Sequence, residues 1–473
     1  MKTSLPRLVI SAAHKSAGKT TISVGLCAAI AEKGLAVQPF KKGPDFIDPM
    51  WLSAAAGRDC RNLDNFMFGW DELLRSFHTH AAKADISLIE GNKGLHDSME
   101  TDGEGSAANL ARRLDAPVIL VLDAAGTTRG IAPLLLGYKM FEPDINIAGV
   151  ILNKVGNARH EAKLRAVIDK YCGIPILGSV RKNPEMEILE RHLGLVPVKE
   201  NENLHMLIQN IKRQIAFSVD IDKVIELARG AAPLETGAVA APTPSPAASL
   251  ARIGVMMDRA FTFYYPENLE ALRAAGAELV PVDAMKDSRL PARLDALYIG
   301  GGFPETNMEE LEFNAGLRSD IKEAIEAGMP VHAECGGLIY LSRGVTYNGK
   351  TAAMVGVLAC DVAIRHKPKG HGYMTLEPTG NSPWLPAGAK IRAHEFHYGE
   401  VINNAHANFA FRVTRGAGID GKNDGIVYKN ATAGFAHLHA LGCPDWARNF
   451  VNFAARTGFS LRSRAVAASG NYL

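Results

Sequence analysis

Short apolar runs alternate with amphipathic stretches along the first half of the chain. Runs at 8–10, 37–40, 86–90, 118–123, 147–153 and 174–177 have the length and aliphatic composition of buried parallel strands. Between them lie stretches of helical length, one opening at Gly18 and running to about Lys33, others at 70–82, 105–114 and 158–171. This alternation predicts a doubly wound, mostly parallel α/β sheet with ligands at the carboxyl ends of its strands. The pattern weakens after Val180 and closes in a helical stretch at 221–229. A run rich in Ala and Pro follows, too poor in large apolar side chains to bury enough surface to order itself. A second alternating region opens at 252–257, with strand candidates at 296–299 and 330–333. The expected division is a first domain at 1–230, a linker at 231–251, a second α/β domain at 252–460 and a tail at 461–473.

The first strand, Leu8-Val9-Ile10, leads through a small-residue turn into Gly18-Lys19-Thr20-Thr21 at the start of a helix. Strand, glycine-bearing loop and helix N-terminus together cradle an anion, because backbone N–H groups and the helix dipole point at it. Lys19 would reach the outer phosphates and the Thr20 hydroxyl would ligate a magnesium ion. Ala13 stands where the phosphate-loop pattern G-x-x-x-x-G-K-[ST] has its first glycine, and a GKT alone reads equally as a solvated lysine beside a helix cap. Its place after an N-terminal apolar strand favours nucleotide binding. The loops at 41–49 and 90–98 follow strands that share this edge. Their carboxylates Asp45, Glu90 and Asp97 form a set at consecutive strand ends, suited to a hard cation, whereas Asp48 alone reads as a turn or cap residue. Asn153 either reads an adenine edge or simply ends its strand.

The second region carries a different chemistry. The strand at 296–299 runs into Gly300-Gly301-Gly302-Phe303-Pro304-Glu305, and the one at 330–333 into Glu334-Cys335-Gly336-Gly337 and a helical 338–341. A cysteine in a sharp strand-to-helix turn between glycines is a nucleophile elbow, where the helix N-terminus favours the thiolate and supplies oxyanion donors. Cys27, Cys60, Cys172, Cys360 and Cys443 read as small buried hydrophobes. The base for Cys335 must come from elsewhere: His394 and His397, or His437 and His439, with either pair equally able to be structural.

Composition narrows the partners. A net charge of +2 and no clustered basic stripe give no argument for nucleic acid. No apolar run reaches the roughly 18 residues of a membrane span, and the N-terminus has too short an apolar core for a signal peptide. Six cysteines without a C-x-x-C pair fit a reducing cytoplasm.

The motifs SAGKTT, KKGPDFIDP, RNLDNFMF, EGNKGL, GVILNKVG, ERHLGLVP, FTFYYPENLEALRAAGAELV, YIGGGFPE, AECGGLIYL, HEFHYGEV and GFAHLH resemble the cobyrinate a,c-diamide synthase family, including the related sirohaem amidases, over residues 7–456. The resemblance implies a first domain similar to dethiobiotin synthetase, using ATP and Mg2+ to phosphorylate a substrate carboxylate. It implies a second domain resembling class I glutamine amidotransferases, which releases ammonia from glutamine. Carried over residue by residue, Gly18, Lys19, Thr20, Thr21 and Asn153 bind ATP, and Thr20, Asp45 and Glu90 hold Mg2+. Lys42, Asp45, Phe46 and Asp97 face the substrate. Cys335 attacks the glutamine amide, His437 aligns best as its base, and N–H groups around Gly301, Gly302 and Gly336 bind the oxyanion.

There are departures from the family pattern. His439 stands where many amidotransferases carry a glutamate two residues after the base, which implies a dyad or a different third member. Where the family commonly reads E-G-V-M-G-L-Y-D-G this chain reads EGNKGLHDS, and Phe46 and Trp51 replace a tyrosine and a histidine. Those changes resemble the sirohaem amidases and leave the tetrapyrrole open. The loops at 41–51 and 90–98 are expected to line its pocket, with Lys42, Lys93 and His96 pairing with carboxylates. Phe46 or Trp51 would stack on the macrocycle, unless Trp51 belongs to the core. The expected activity is amidation of the a- and c-acetates of a tetrapyrrole through an acyl phosphate, with sirohaem amidation as the alternative. A partitioning-type ATPase bound to a protein partner is the reading from another class, and it leaves Cys335 unexplained; a catalytically dead glutamine-domain scaffold is another. Implied partners are the tetrapyrrole, glutamine and ATP, with a homodimer as the candidate assembly.

Overall fold

Seven parallel strands form the sheet of the first unit, in the order Arg61–Leu63, Val37–Lys42, Ile86–Glu90, Arg7–Ala12, Val118–Asp123, Ile147–Val155 and Ile176–Arg181. This computed structural model describes residues 2–191, 194–201, 203–235 and 249–469. The strands at the centre are buried on both faces, which is why they read as unbroken apolar runs. On one side the chain first lays down Val37–Lys42 and Arg61–Leu63, then inserts Ile86–Glu90 between Val37–Lys42 and Arg7–Ala12; on the other side it builds outward in order, and all seven strands run parallel. The loops after Arg7–Ala12, Val37–Lys42 and Ile86–Glu90 therefore share one edge.

Local chemistry resets the bounds of two predicted helices. The stretch expected at 70–82 belongs to Asn65–Ala81, which is interrupted at Gly69 (φ 76°, ψ 170°). The one expected at 105–114 is Ala107–Arg113, started by Ser106, whose Oγ accepts from the Asn109 N–H at 2.9 Å. The strand expected at 174–177 is Ile176–Arg181. The helix Leu204–Ser218, not foreseen, lies against Lys19–Glu32 at Gly25, where a Cβ would stand 2.3 Å from Ile215 Cγ1.

Residues 1–65 and 69–240 make up the first unit, 66–68 and 241–473 the second. Most of the expected linker, 236–248, lies outside the described residues, as do 470–473 of the expected tail. The rest of that tail continues the helix Asp445–Ser469.

The sheet of the second unit has nine strands. Ala277–Val282, Ala251–Met256, Ala296–Ile299, Val331–Glu334 and Ala431–Gly434 are parallel. Asn423–Tyr428, Phe409–Arg415, Gly370–Pro378 and Ile391–His397 continue it antiparallel. No helix among the described residues is long and apolar enough to cross a membrane.

Candidate functional sites

In the first unit the turn after Arg7–Ala12 closes on the helix Lys19–Glu32 through Gly18. Gly18 has φ 89°, which favours glycine, and a Cβ there would push aside the amide of Asn153, whose Nδ2 it would meet at 2.2 Å. Asn153 Nδ2 donates to Ala17 O at 2.8 Å, and Lys154 Nζ donates to Ser16 O at 3.0 Å and to Asp123 Oδ2 at 2.8 Å. The amide that the sequence offers to an adenine edge here supports the loop from beneath. Lys19 and Thr21 begin the helix, and burial, with the charge of Lys41 second, holds the Lys19 ammonium below the ordinary lysine range.

Glu90 is fully buried at the end of its strand. Its Oε1 accepts from Thr20 Oγ1 at 2.9 Å and from Lys41 Nζ at 2.8 Å, while Oε2 has no hydrogen-bond partner among the described residues. Lys41 also reaches Asp48 Oδ2 at 2.5 Å. Burial opposes the Lys41 charge, but Asp48 and Glu90 outweigh it and hold the ammonium above the usual range. Asp45 starts the helix Ile47–Ala56, its Oδ1 accepting from the N–H groups of Ile47 (2.8 Å) and Asp48 (3.2 Å). Burial, then the Asp48 charge, pushes its carboxyl up to about 7. The structure thus brings Thr20 and Glu90 into direct contact, with Asp45 in the same electrostatic cluster but with one oxygen taken by the helix cap. The described residues contain no group of three or more His, Cys, Asp or Glu placed to hold a metal. An orphaned carboxylate oxygen buried beside a threonine hydroxyl nevertheless fits a hard cation completed by phosphate oxygens.

Of the two readings open for Trp51, the structure takes the core one. Trp51 is fully buried and its Nε1 donates to Val196 O at 3.0 Å, so it is a core residue and offers no face to a macrocycle. Phe46 keeps 8% exposure. Lys42 lies close enough to Lys93 for that charge to disfavour its own, after burial, while Asp64 opposes both. His96 Nδ1 is paired with Glu142 Oε1 at 3.0 Å. Asp97 Oδ2 accepts from Gly94 N–H at 2.7 Å, and its charge acts on Lys19.

In the second unit Cys335 stands between the strand Val331–Glu334 and the helix Gly336–Leu341 with φ 48° and ψ −97°, a conformation a non-glycine residue adopts only under constraint. Its N–H is anchored to Gly434 O at 2.7 Å. A Cβ on Gly336 would lie 3.0 Å from Gly302 N, and one on Gly302 (φ 149°) would lie 2.0 Å from Ala260 O. A Cβ on Gly301 would lie 2.5 Å from His437 Cε1. Cys335, the two glycine turns and His437 therefore converge. Burial, then the charges of Glu305 and Glu334, pushes the thiol up, so Cys335 rests as a neutral thiol.

The other histidines are placed apart from this role. His397 lies flat on Phe435 (3.7 Å between centroids), with Nε2 on Glu395 at 3.2 Å and Nδ1 on Gly399 O at 2.8 Å. His394 stacks on His437 at 4.9 Å and meets the Tyr265 hydroxyl at 3.2 Å. His439 lies against the Tyr265 ring at 4.4 Å, with Nε2 3.7 Å from Glu267. Asp424 accepts from the N–H groups of Phe435 and Ala436, both at 3.0 Å, and so sets the turn that delivers His437. Lys41 and Glu334 carry no motif of their own in the sequence. Their signal is a charge ending or lining an otherwise apolar strand, which burial tolerates only when it is paired.

Two family models match the chain in order. Residues 9–196 match the CobQ/CobB/MinD/ParA nucleotide binding domain, and residues 252–444 the CobB/CobQ-like glutamine amidotransferase domain. The chain is 46% identical over 459 residues to a cobyrinate a,c-diamide synthase of Magnetococcus marinus, covering 96% of this chain and 98% of that protein. It is 41% identical over 454 residues to one from Archaeoglobus fulgidus (96% and 98% covered). It is 40% identical over 481 residues to one from Methanosarcina barkeri (95% and 96% covered). Similarity at this level along nearly the whole of each protein, with a nucleotide-binding domain followed by a glutamine amidotransferase domain, means that the chain belongs to the cobyrinate a,c-diamide synthase family.

Proposed function

We propose that this protein catalyses ATP- and Mg2+-dependent amidation of the a- and c-acetate carboxylates of cobyrinate, with glutamine as the nitrogen donor. The observation that carries the reading is the convergence of Cys335, the glycine turns and His437 in a chain that also holds a nucleotide-binding domain. A carboxylate does not condense with ammonia at neutral pH, because it is a poor electrophile with an oxide leaving group. Attack of a carboxylate oxygen on the γ-phosphoryl group gives ADP and an acyl phosphate. Ammonia then attacks the acyl carbon, inorganic phosphate leaves, and a proton is lost to give the amide.

Lys19 and the backbone N–H groups after Gly18 would hold the phosphates. Thr20 and Glu90 would hold Mg2+, with Asp45 beside them, and bound Mg2+ supplies charge neutralisation of the phosphoryl oxygens. Lys42, Asp97 and the edge of Phe46 are the groups assigned to the substrate. Lys41 pairs with both carboxylates; against burial, its charge and hydrogen bond hold Asp48 below the usual carboxylate range, whereas burial keeps Glu90 above it. In the glutaminase centre the thiol loses its proton to His437 as Sγ attacks the amide carbon, and His437 returns it to the departing nitrogen. Ammonia leaves, and water hydrolyses the thioester to glutamate. The N–H groups of Gly302 and Gly336 would take the oxyanion, with Gly301 leaving room for the base.

Sirohaem is the competing substrate, favoured by the loop EGNKGLHDS. The test compares kcat/KM for cobyrinate and sirohaem, counting product mass in amide increments. Preference for cobyrinate is expected; preference for sirohaem would replace the substrate and keep the chemistry. Cys335→Ala should lose glutamine-driven amidation and keep ammonium-driven amidation, and failure of ammonium to rescue it would reject the division of labour.

A further inference from the structure

We propose that Glu334 is the positioning carboxylate of the glutaminase centre: from the strand that delivers Cys335, it holds the imidazole of His437 with its proton on Nδ1. The inference rests on the glutaminase reading above and assigns the third member that His439 does not supply. Glu334 directly precedes the nucleophile and is 2% exposed. An ionised carboxylate at such depth costs several kcal/mol unless it is paired and hydrogen-bonded. Here both oxygens are engaged. Oε1 accepts from His332 Nε2 and from the Leu438 N–H, each at 3.1 Å. Oε2 accepts from the Tyr298 hydroxyl at 3.1 Å and lies 3.7 Å from His437 Nδ1.

The Leu438 contact decides between a general charge sink and a positioning role. Glu334 accepts from the backbone N–H directly after His437 and lies 3.7 Å from its ring, so strand, nucleophile and base meet at one carboxylate. The opposite side of the ring is limited by Gly301, whose missing Cβ leaves room for Cε1, and the ring stacks on His394. With Nδ1 carrying the proton toward Glu334, the lone pair of Nε2 is left to take the thiol proton, and the imidazolium formed is stabilised by the carboxylate. His439 has a different acidic neighbour, Glu267 at 3.7 Å from its Nε2. Burial opposes the charge of Glu334, yet the hydrogen bond from His332 and the neighbouring imidazole of His437 hold its carboxyl far below the usual range. The remaining titratable groups around the pair are Tyr298 and Tyr264, kept protonated by burial, and His394, kept neutral by burial and by His437. Asp424, Glu305 and Cys335 complete the set.

The test is Glu334→Gln, which keeps shape and an acceptor but removes the charge. Glutamate release by the full chain is expected to lose roughly 100-fold in kcat, with KM for glutamine within about 3-fold, the lower range for disabling acid–base catalysis. The acid limb of kcat/KM should move to lower pH, because an imidazole without its carboxylate protonates less readily. Ammonium-driven amidation, which bypasses this centre, reports that the variant is folded. A glutaminase kcat within about 3-fold of the parent, or an unmoved acid limb, overturns the assignment. If the variant does not fold, 15N NMR of histidine-labelled parent protein decides: Nδ1–H at His437 supports the proposal and Nε2–H refutes it. A parent protein that releases no glutamate would instead reject the glutaminase reading beneath it.

Discussion

Replacing Asp45 by Asn separates stability from function at the phosphate-loop edge. The Asp45 carboxyl is pushed from an ordinary 3.8 up to about 7 by burial and by Asp48. A group whose folded value is raised contributes stability that is complete below its unfolded value and is lost as pH rises through its folded value. The loss therefore falls between pH 3.8 and about 7. Full enclosure would make that loss about 4 kcal/mol, and the partial exposure of Asp45 reduces it to about 2–4 kcal/mol. Asn retains an Oδ1 to accept from the Ile47 and Asp48 N–H groups, so the helix cap survives. Asp45→Asn is thus expected to stabilise the first unit at about pH 8 and to leave it unchanged at about pH 4, while abolishing ATP-dependent amidation. Urea titration with hydrogen exchange read over the helix Ile47–Ala56, without nucleotide, measures this at each pH. A destabilised variant at the higher pH, or a gain that does not change with pH, would refute the reasoning.

Three further variants probe the same account. Lys19→Ala should remove amidation from both nitrogen sources and leave glutamate release, since no acyl phosphate forms; survival of most ammonium-driven rate would reject the phosphate-loop role. Gly302→Ala forces a Cβ to 2.0 Å from Ala260 O at φ 149°. It should cost glutamate release more than about 100-fold, with ammonium-driven amidation kept; near-normal release would show that this turn does not shape the oxyanion site. Trp51→Ala should cost about 3–5 kcal/mol of unfolding free energy without changing the cobyrinate-to-sirohaem preference, and a changed preference would mean that Trp51 meets substrate.

How much could be read in advance follows from how local each signal is. The phosphate loop is contiguous with its strand and helix, so Leu8 to Thr21 carries its own structural meaning. The elbow at Cys335 is equally local, with glycines where a Cβ would strike Gly302 N or Ile299 O. Asn153 is different. Its amide meets a loop 136 residues earlier, and only the sheet order brings them together. Lys41 reads as one more basic residue in a polar loop, yet Asp48 and Glu90 make it a buried ion-pair centre. Trp51 could be surface or core until Val196 is seen to accept from its Nε1. Glu334 is one residue from the nucleophile, but its meaning depends on His437 and Leu438 more than 100 positions on. The antiparallel strand Ile391–His397, which carries His394 and His397, gave no apolar run, because several of its buried positions, His394, Glu395 and His397, are polar.

The most direct measurement of the central claim uses glutamine labelled with 15N at the amide, together with cobyrinate, ATP and Mg2+. Mass spectrometry of the tetrapyrrole should show two amide increments, both carrying the label, with ADP and phosphate formed in step and no product when ATP is omitted. Unlabelled amides, amidation without ATP consumption, or an unchanged tetrapyrrole would contradict the account.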